Sequence, residues 1–160
     1  MSQSNLILVD TNVWLDYFQA YRPMHGQAFS FLSKALEKGY ELVHAAISVK
    51  DLYYLISAGV KREVRLQKKG ILSEQDARAA REIAWACVSS MESISSSVGC
   101  DQSDVWIAEK QRAVHDDFED DLIIAAAMRS DARLLVTNDE KFLQHCPVAA
   151  LSVSDALKWL

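Results

Sequence analysis

Residues 117–143, DFEDDLIIAAAMRSDARLLVTNDEKFL, contain the alternation of helix and strand that predicts the fold. Asp117 can cap a helix over Phe118–Arg129, and the apolar run Arg133–Thr137 has the length and composition of a buried strand. A short helix is predicted over Asp139–Gln144. A buried strand between two helices is the unit from which parallel sheets are built.

The rest of the chain shows the same alternation. Further strands are predicted over Asn5–Asp10, Glu41–Ala45, Ser93–Val98 and Val148–Leu151. Further helices are predicted over Asn12–Ala20, His25–Lys38, Ser48–Ala58, 60–69, Ser73–Met91, Asp101–Val114 and Asp155–Leu160. Gly59 is expected to end the helix that opens at Ser48. With no repeat or Pro/Gly-rich linker in the sequence, we predict one α/β domain over residues 1–160, a three-layer α/β/α sandwich with a central parallel sheet of four or five strands.

The composition is that of a globular protein, because 50% of the 160 residues are hydrophobic and 24% are charged. No apolar run approaches the ~20 residues of a membrane-spanning helix, so no membrane association is expected. The first residues, MSQSNLILVD, lack the features of a secretory signal, which predicts a cytoplasmic location. Cys87, Cys100 and Cys146 are widely spaced and predict neither a disulfide framework nor a zinc site.

The net charge of −5 argues, taken alone, against a nucleic-acid-binding protein. The charges are unevenly distributed, however: residues 61–81 contain seven basic and three acidic side chains, whereas residues 101–121 contain eight acidic and two basic ones. The basic residues of the predicted helix 60–69 are either an ordinary solvated face or a rim that contacts RNA phosphates. These candidate RNA contacts are Lys61, Arg62, Arg65, Lys68 and Lys69.

Four aspartates are predicted to meet at one edge of the sheet. Asp10 ends the first strand and Asp139 lies two residues beyond Thr137, where another strand ends. Asp51 and Asp120 each lie in the first turn of a helix that follows a loop. Ligands of open parallel sheets bind beyond the carboxyl ends of the strands, so this edge is the candidate site.

Several carboxylates in one pocket repel one another, and a hard divalent cation removes that conflict. Mg²⁺ and Mn²⁺ prefer oxygen ligands and can bridge protein carboxylates to a phosphodiester. Each aspartate also has a plain alternative role as a helix cap or a first-turn acid that interacts with the helix dipole. The cluster as a whole, rather than any single member, therefore favours a metal-dependent nuclease.

The acidic segment before the helix Phe118–Arg129 contains other candidates, namely Asp116, Asp117, Glu119 and Asp121. Asp120 shares a helix face with Ile124 and Ala127, while Glu119 and Asp121 are rotated ~100° to either side. Helical geometry therefore favours Asp120. The four histidines, His25, His44, His115 and His145, lack metal-ligand spacing and are expected at the surface or at helix ends.

Three sequence blocks resemble the PIN-domain family and occur in the family's order. LILVDTNVWLDYF (6–18) resembles its first motif and AAISVKDLYYLI (45–56) its second. Residues 117–143 resemble its third and fourth motifs, and the whole resemblance covers about residues 5–151. The Thr-Asn-Asp of the last block is more specific than the Asp-Thr-Asn of the first.

The resemblance implies a PIN-like fold and a ribonuclease that depends on Mg²⁺ or Mn²⁺. The matching catalytic positions are Asp10, Asp51, Asp120 and Asp139, with Asp10, Asp120 and Asp139 as metal ligands and Asn12, Thr137 and Asn138 as supporting residues. The second acid of the family is typically Glu, so a role through water is the alternative to direct coordination by Asp51. The small members of this family include VapC-like toxins, so the resemblance also implies an RNA substrate, an antitoxin protein and a homodimer.

Two other functions are open to a sequence of this kind. A catalytically weak PIN fold could serve as an RNA-binding or protein-interaction module, which the acidic net charge and Asp51 favour. A haloacid-dehalogenase-like phosphatase would also place Asp after the first strand. That chemistry requires a second Asp two residues later, where this chain has Asn12, and this disfavours the phosphatase.

Overall fold

A five-stranded parallel sheet forms the centre of the computed structural model, which describes residues 4–160. The strands are β1 (Leu6–Val9), β2 (Glu41–Ala45), β3 (Ser95–Val98), β4 (Leu134–Val136) and β5 (Ala150–Leu151). Their order is β3-β2-β1-β4-β5, and every neighbouring pair is parallel. The predicted α/β/α sandwich with a parallel sheet is confirmed.

Helices cover both faces of the sheet. They are α1 (Thr11–Phe18), α2 (His25–Glu37), α3 (Ala46–Gln67), α4 (Glu74–Ile94), α5 (Gln102–Gln111), α6 (Phe118–Arg129), α7 (Glu140–His145) and α8 (Val153–Trp159). One core contains α1–α4 and α8 packed on Ile7 and Val9 of β1. The other contains α6 and α7 packed on Leu8 of the same strand. Successive residues of β1 thus point into opposite cores, which explains its uninterrupted apolar sequence.

The register of the central strands aligns their carboxyl ends. Val9 pairs with Val136, and the backbone N–H of Asp10 donates to the carbonyl of Val136 at 3.0 Å. Asp10 and Thr137 therefore leave the sheet side by side. The order of strands places β1 and β4 at the middle of the sheet, so the candidate site lies at its centre rather than at an outer strand.

The predicted break at Gly59 is wrong, because α3 continues without interruption from Ala46 to Gln67. Glycine inside a helix costs about 1 kcal/mol relative to alanine. A Cβ atom at Gly59 would lie 2.9 Å from Nε2 of Gln19 and 3.1 Å from the hydroxyl of Tyr21. The glycine therefore allows the segment after α1 to pack closely on α3. Its presence reflects a tertiary contact and not a helix end.

Other boundaries differ from the predictions by a few residues. The predicted cap of α4 is confirmed: Ser73 and Asp76 form a reciprocal capping box. That helix extends to Ile94, so β3 begins at Ser95 and not at Ser93. Within residues 4–160, no helix combines the length and the apolar character that crossing a bilayer requires.

Candidate active site

Asp10 is buried at the end of β1 and is held by three hydrogen-bond donors. Its Oδ1 accepts from the backbone N–H of Thr11 at 2.6 Å. Its Oδ2 accepts from Nδ2 of Asn12 at 2.7 Å and from Oγ1 of Thr137 at 2.7 Å. The carboxylate is only 4% exposed. These contacts set the orientation of Asp10 and leave it little access to bulk water.

The pKa of Asp10 is raised to about 6, mainly by burial and to a smaller extent by the negative charge of Asp139. The hydrogen bonds from Thr137, Thr11 and Asn12 act in the opposite direction, because they stabilise the ionised form. The effect of burial on the pKa of Asp10 is larger than the combined effect of the three hydrogen bonds. Among the described residues, no positively charged side chain contributes to stabilising the ionised carboxylate.

Asp139 follows β4 and lies close enough to Asp10 for their charges to interact. Its Oδ1 accepts from the backbone N–H groups of Lys141 at 2.9 Å and Phe142 at 3.1 Å, which caps α7. Its own N–H donates to Oγ1 of Thr137 at 3.1 Å. Asp139 is thus a helix cap and a neighbour of Asp10 at the same time, so the two roles weighed for it are compatible.

Asp120 approaches from α6, and its pKa is raised to about 7. Burial is the largest cause, followed by the negative charges of Asp117, Asp10 and Asp139. The capping interaction of Asp117 with the N–H groups of Glu119 and Asp120 keeps this first helical turn in place. The structure therefore brings together Asp10, Asp120 and Asp139, the three residues predicted as metal ligands.

Asp51 meets Glu119 at the same end of the sheet. The pKa of Glu119 is raised by burial and by the charge of Asp51, to which Glu119 also hydrogen-bonds, and the charge of Asp10 contributes too. Lys50 forms an ion pair with Asp51 at 2.9 Å. Helical geometry favoured Asp120, and Glu119 was not predicted as a site residue, although both side chains reach the site. Their adjacency in the first turn of α6 is the sequence feature that could have identified Glu119 as a site residue.

His115 was also missed by the sequence analysis. Its Nε2 lies 3.7 Å from Oδ2 of Asp120, and its Nδ1 lies 3.5 Å from Oδ1 of Asp121. The ring stacks with those of Phe142 and His145. The proximity of His115 lowers the pKa of Asp120 and so opposes the effect of the surrounding acids. The sequence feature that could have identified it is the position of this histidine directly before the acidic segment.

The predicted supporting residues form a network that joins β1, β4 and α1. Asn12 donates to Asp10 and, at 2.9 Å, to Oγ1 of Thr137, and its Oδ1 accepts from the N–H of Asn138 at 3.0 Å. Nδ2 of Asn138 donates to Oδ2 of Asp16 at 3.0 Å. Asp16 in turn accepts from Nε of Arg22 at 2.6 Å. The network holds the loop after β4, and with it Asp139, against α1.

Replacing Asp16 with alanine is expected to destabilise the protein by about 2–3 kcal/mol, because Asn138 and Arg22 would each lose a charged acceptor. Asp16 is 3% exposed, so water cannot easily replace it. Urea denaturation monitored by circular dichroism measures the change. Lys158→Ala is the matched control, since it removes the ion pair of Lys158 and Asp155 at the surface and should cost less than ~0.5 kcal/mol. Equal effects of the two substitutions would contradict the structural role of Asp16.

The candidate RNA contacts differ in position along α3. Arg62 and Arg65 follow Asp51 by 11 and 14 residues, which places them on the face of the helix that carries Asp51. Lys68 lies at the far end of α3 and is paired with Asp76 at 2.7 Å. Lys69 lies in the turn beyond the helix, with a φ of 52°. Arg62 and Arg65 are therefore better placed than Lys68 and Lys69 to contact a ligand at the acidic site.

The carboxylate oxygens of this site are the donors that Mg²⁺ and Mn²⁺ prefer, and the pKa values of Asp10 and Asp120 are raised partly by neighbouring negative charges that a cation would neutralise. The donor set therefore fits a hard divalent ion. As the side chains stand, no three carboxylate, histidine or cysteine groups within residues 4–160 are close enough together to ligate one ion. Coordination of one ion by three of these groups therefore requires their side chains to move closer together.

The three motif blocks and the acidic edge that they build agree with a comparison to known families. The sequence matches the family model of the PIN domain over residues 6–141. The chain belongs to the PIN-domain family. The match includes β1 with Asp10, the start of α3 with Asp51, α6 with Asp120 and the loop with Asp139.

Solved structures share the fold of this PIN domain at low sequence identity. VapBC2 from Rickettsia felis, bound to a DNA fragment from its promoter, aligns with a TM-score of 0.64 at 16% identity over 92% of this chain and 98% of that chain. Mycobacterium tuberculosis VapC20, a toxin that cleaves the sarcin-ricin loop, aligns with a TM-score of 0.64 at 15% identity over 86% and 93%. A toxin-antitoxin complex from Klebsiella pneumoniae gives 0.54 at 19% identity over 92% and 97%. None of the curated proteins compared with the chain matches it.

Proposed function

We propose that this PIN domain is a divalent-metal-dependent endoribonuclease that hydrolyses RNA phosphodiester bonds. The observation that supports this most is the meeting of Asp10, Asp120 and Asp139, which come from different elements of the fold: the charge of Asp139 raises the pKa of Asp10, and the charges of Asp10 and Asp139 raise the pKa of Asp120. A protein that holds such repelling groups at the carboxyl edge of a parallel sheet gains most from a bound cation.

In this proposal Asp10, Asp120 and Asp139 hold Mg²⁺ or Mn²⁺. The bound ion would supply positive charge to the scissile phosphate and lower the pKa of the attacking water. Asn12 and Thr137 keep the Asp10 carboxylate in one orientation through their hydrogen bonds to its Oδ2. The predicted supporting role of Asn138 is to hold the loop that carries Asp139 against Asn12 and Asp16.

Asp51 and Glu119 can handle the protons of the reaction. Burial and the charge of Asp51 raise the pKa of Glu119, which favours a proton on the Glu119 carboxyl group beside Asp51. In the proposed hydrolysis a water oxygen bonds to phosphorus, the bond to the 3′ oxygen breaks, and that oxygen gains a proton. The Asp51–Glu119 pair would deliver this proton and recover one from water. The products then carry a 5′-phosphate and a 3′-hydroxyl.

Substituting Glu119 with glutamine is expected to reduce kcat for RNA cleavage by about 10²-fold, because the pair could no longer exchange a proton. Glu109→Gln is the matched control, since Glu109 is exposed on α5. The measurement is the initial rate on a fluorescently labelled single-stranded RNA with Mg²⁺. An unchanged kcat in Glu119→Gln would assign the pair a purely structural role.

We further propose that the protein is the toxin of a toxin–antitoxin pair in the cytoplasm, with a small antitoxin protein as its partner and a homodimer as its active form. The solved structures that share its fold include two toxin–antitoxin assemblies and an RNA-cleaving toxin. Expression of the chain alone should arrest growth of a bacterial host. Co-expression of the product of the adjacent reading frame should relieve the arrest, and size-exclusion chromatography should show a complex.

The competing function is a catalytically weak PIN fold that binds RNA or a protein. Two observations favour it: Asp51 is shorter than the glutamate typical of the family, and the described side chains include no ready-made set of three ligands. Isothermal titration with Mn²⁺ separates the alternatives. Heat of binding at millimolar metal together with metal-dependent RNA cleavage supports the nuclease, whereas RNA binding without metal binding supports the module.

A further inference from the structure

A cavity of about 240 Å³ lies between α3 and the segment that follows α1. The segment contributes Gln19, Tyr21 and Arg22, and α3 contributes Gly59 and Arg62. The residues that line the cavity include no carboxylate. Although the net charge of the protein is −5, two guanidinium groups line this cavity and no acidic side chain does.

The cavity and the acidic site both border α3, which carries Asp51 and Arg62. Leu15 of α1 and Leu55 of α3 also line the cavity; Asp10 caps the start of α1, and Asp51 lies in the second turn of α3. Arg62 follows Asp51 by 11 residues. At 1.5 Å per residue this is ~16 Å along the helix axis, on the same face. The axis of α3 therefore leads from Asp51 to the cavity, with Arg62 on the face of the helix that carries Asp51.

Both arginines have unused donors. Arg62 is exposed, and its contact with Glu63 is a loose ion pair at 3.8 Å. Within the described part of the chain, the Arg22 side chain forms one hydrogen bond, which its Nε donates to Asp16. Its two terminal nitrogens are therefore left for a ligand. A guanidinium pair of this kind suits the oxygens of a phosphate group.

The remaining lining groups suit a nucleobase. The Tyr21 ring is 55% exposed and offers a stacking surface. The amide of Gln19 can donate and accept hydrogen bonds at a base edge. Both side chains reach their positions because Gly59 lacks a Cβ atom, which would lie 2.9 Å from Nε2 of Gln19 and 3.1 Å from the Tyr21 hydroxyl. The glycine inside α3 thus shapes the cavity.

We propose that this cavity is a subsite for one nucleotide of a single-stranded RNA substrate, a few nucleotides from the scissile bond. Arg22 and Arg62 bind the phosphate and Tyr21 stacks on the base. The inference rests on the proposed nuclease function and deepens it by assigning a strand path from the acidic site along α3. It also selects Arg62 from the five basic candidates in residues 61–69 and adds Arg22, Tyr21 and Gln19.

The test measures binding of a fluorescent single-stranded RNA by anisotropy at several salt concentrations, in the non-cleaving Asp10→Asn background with Mg²⁺. Arg62→Ala should weaken binding and reduce the slope of log K against log salt by about 0.7, the contribution of one phosphate contact on a single strand. Tyr21→Leu should weaken binding about 5- to 100-fold without changing that slope. Arg78→Ala removes the same charge from an exposed site on α4 and should leave both quantities unchanged.

Two further measurements guard against misfolded variants. In the active protein, Arg62→Ala and Tyr21→Leu should raise KM while kcat stays within a factor of about two of the parent. Gly59→Ala should keep or raise the melting temperature, because alanine is the better helix former. The same variant should weaken RNA binding, because its Cβ displaces Gln19 and Tyr21.

The possible outcomes separate the subsite from the nuclease. Cleavage by the parent protein with an unchanged KM and salt slope in Arg62→Ala and Tyr21→Leu would overturn the subsite and leave the nuclease standing. RNA binding that depends on both residues, in a protein that cleaves nothing, would support the subsite and refute the nuclease. If a glutamate-rich peptide binds in an Arg62-dependent manner while RNA binding is insensitive to Arg62, the cavity is a protein-docking site and the proposal is wrong.

Discussion

Asp10→Asn is expected to abolish RNA cleavage, by at least about 10³-fold, while the protein remains folded. Asparagine keeps the shape of the side chain and can still accept the hydrogen bond from the Thr11 N–H. It cannot supply the negative charge that a divalent cation requires. The physical basis is the buried position of Asp10, whose Oδ2 is held by Asn12 and Thr137.

The assay is cleavage of a labelled RNA at saturating Mg²⁺, with circular dichroism to verify the fold. Asp131→Asn is the matched control. Asp131 lies exposed in the turn after α6 with a φ of 53°, a conformation that asparagine also adopts readily. Asp131→Asn should retain full activity. Cleavage by Asp10→Asn at the parent rate, or cleavage by the parent protein in excess chelator, would refute the proposed mechanism.

The second large effect concerns stability, pH and divalent ions. In the metal-free protein the pKa of Asp10 is raised from 3.8 to about 6 and that of Asp120 to about 7. The folded state thus binds these protons more tightly than the unfolded state does. Their stabilising contribution is complete below about pH 4 and is lost as the pH rises through 6 and 7. For buried Asp10 the loss is of the order of 3 kcal/mol, from ~2 pKa units at 1.36 kcal/mol each.

A divalent ion should reverse that loss. At pH 8, 5 mM Mg²⁺ or Mn²⁺ is expected to raise the melting temperature by several degrees, because the ion binds the folded state and neutralises the repelling carboxylates. At pH 5 the shift should be much smaller, since protons compete for the same oxygens. Differential scanning fluorimetry measures both shifts, with NaCl of equal ionic strength as the control. A shift that is larger at pH 5 than at pH 8 would contradict this account.

Local sequence was sufficient to predict the sheet and the two strand-end aspartates. The run Leu6–Val9 is apolar at every position because β1 is buried on both faces, and a strand of that kind can be recognised without its neighbours. Parallel strands place their carboxyl ends at one edge, so the positions of Asp10 and Asp139 follow from where their strands end. The capping box of Ser73 and Asp76 is equally local.

Contacts between distant segments were not predictable in this way. Gly59 has the local appearance of a helix end, yet it lies inside α3 because Gln19 and Tyr21 pack against it. Helical geometry favoured Asp120 in the acidic segment, but the folded chain also places Glu119 beside Asp51. His115 reaches Asp120 only because the chain folds back before α6.

The amino-acid sequence by itself therefore determined the parallel α/β architecture, its family and the expectation that Asp10, Asp120 and Asp139 converge at one edge. These depend on periodicity, caps and strand ends, which act over a few residues. The tertiary structure alone decided the pairing of Glu119 with Asp51, the position of His115 and the cavity that joins Arg22 to Arg62. Those features depend on burial and on charges brought together from separate elements, and neither quantity exists until the chain has folded.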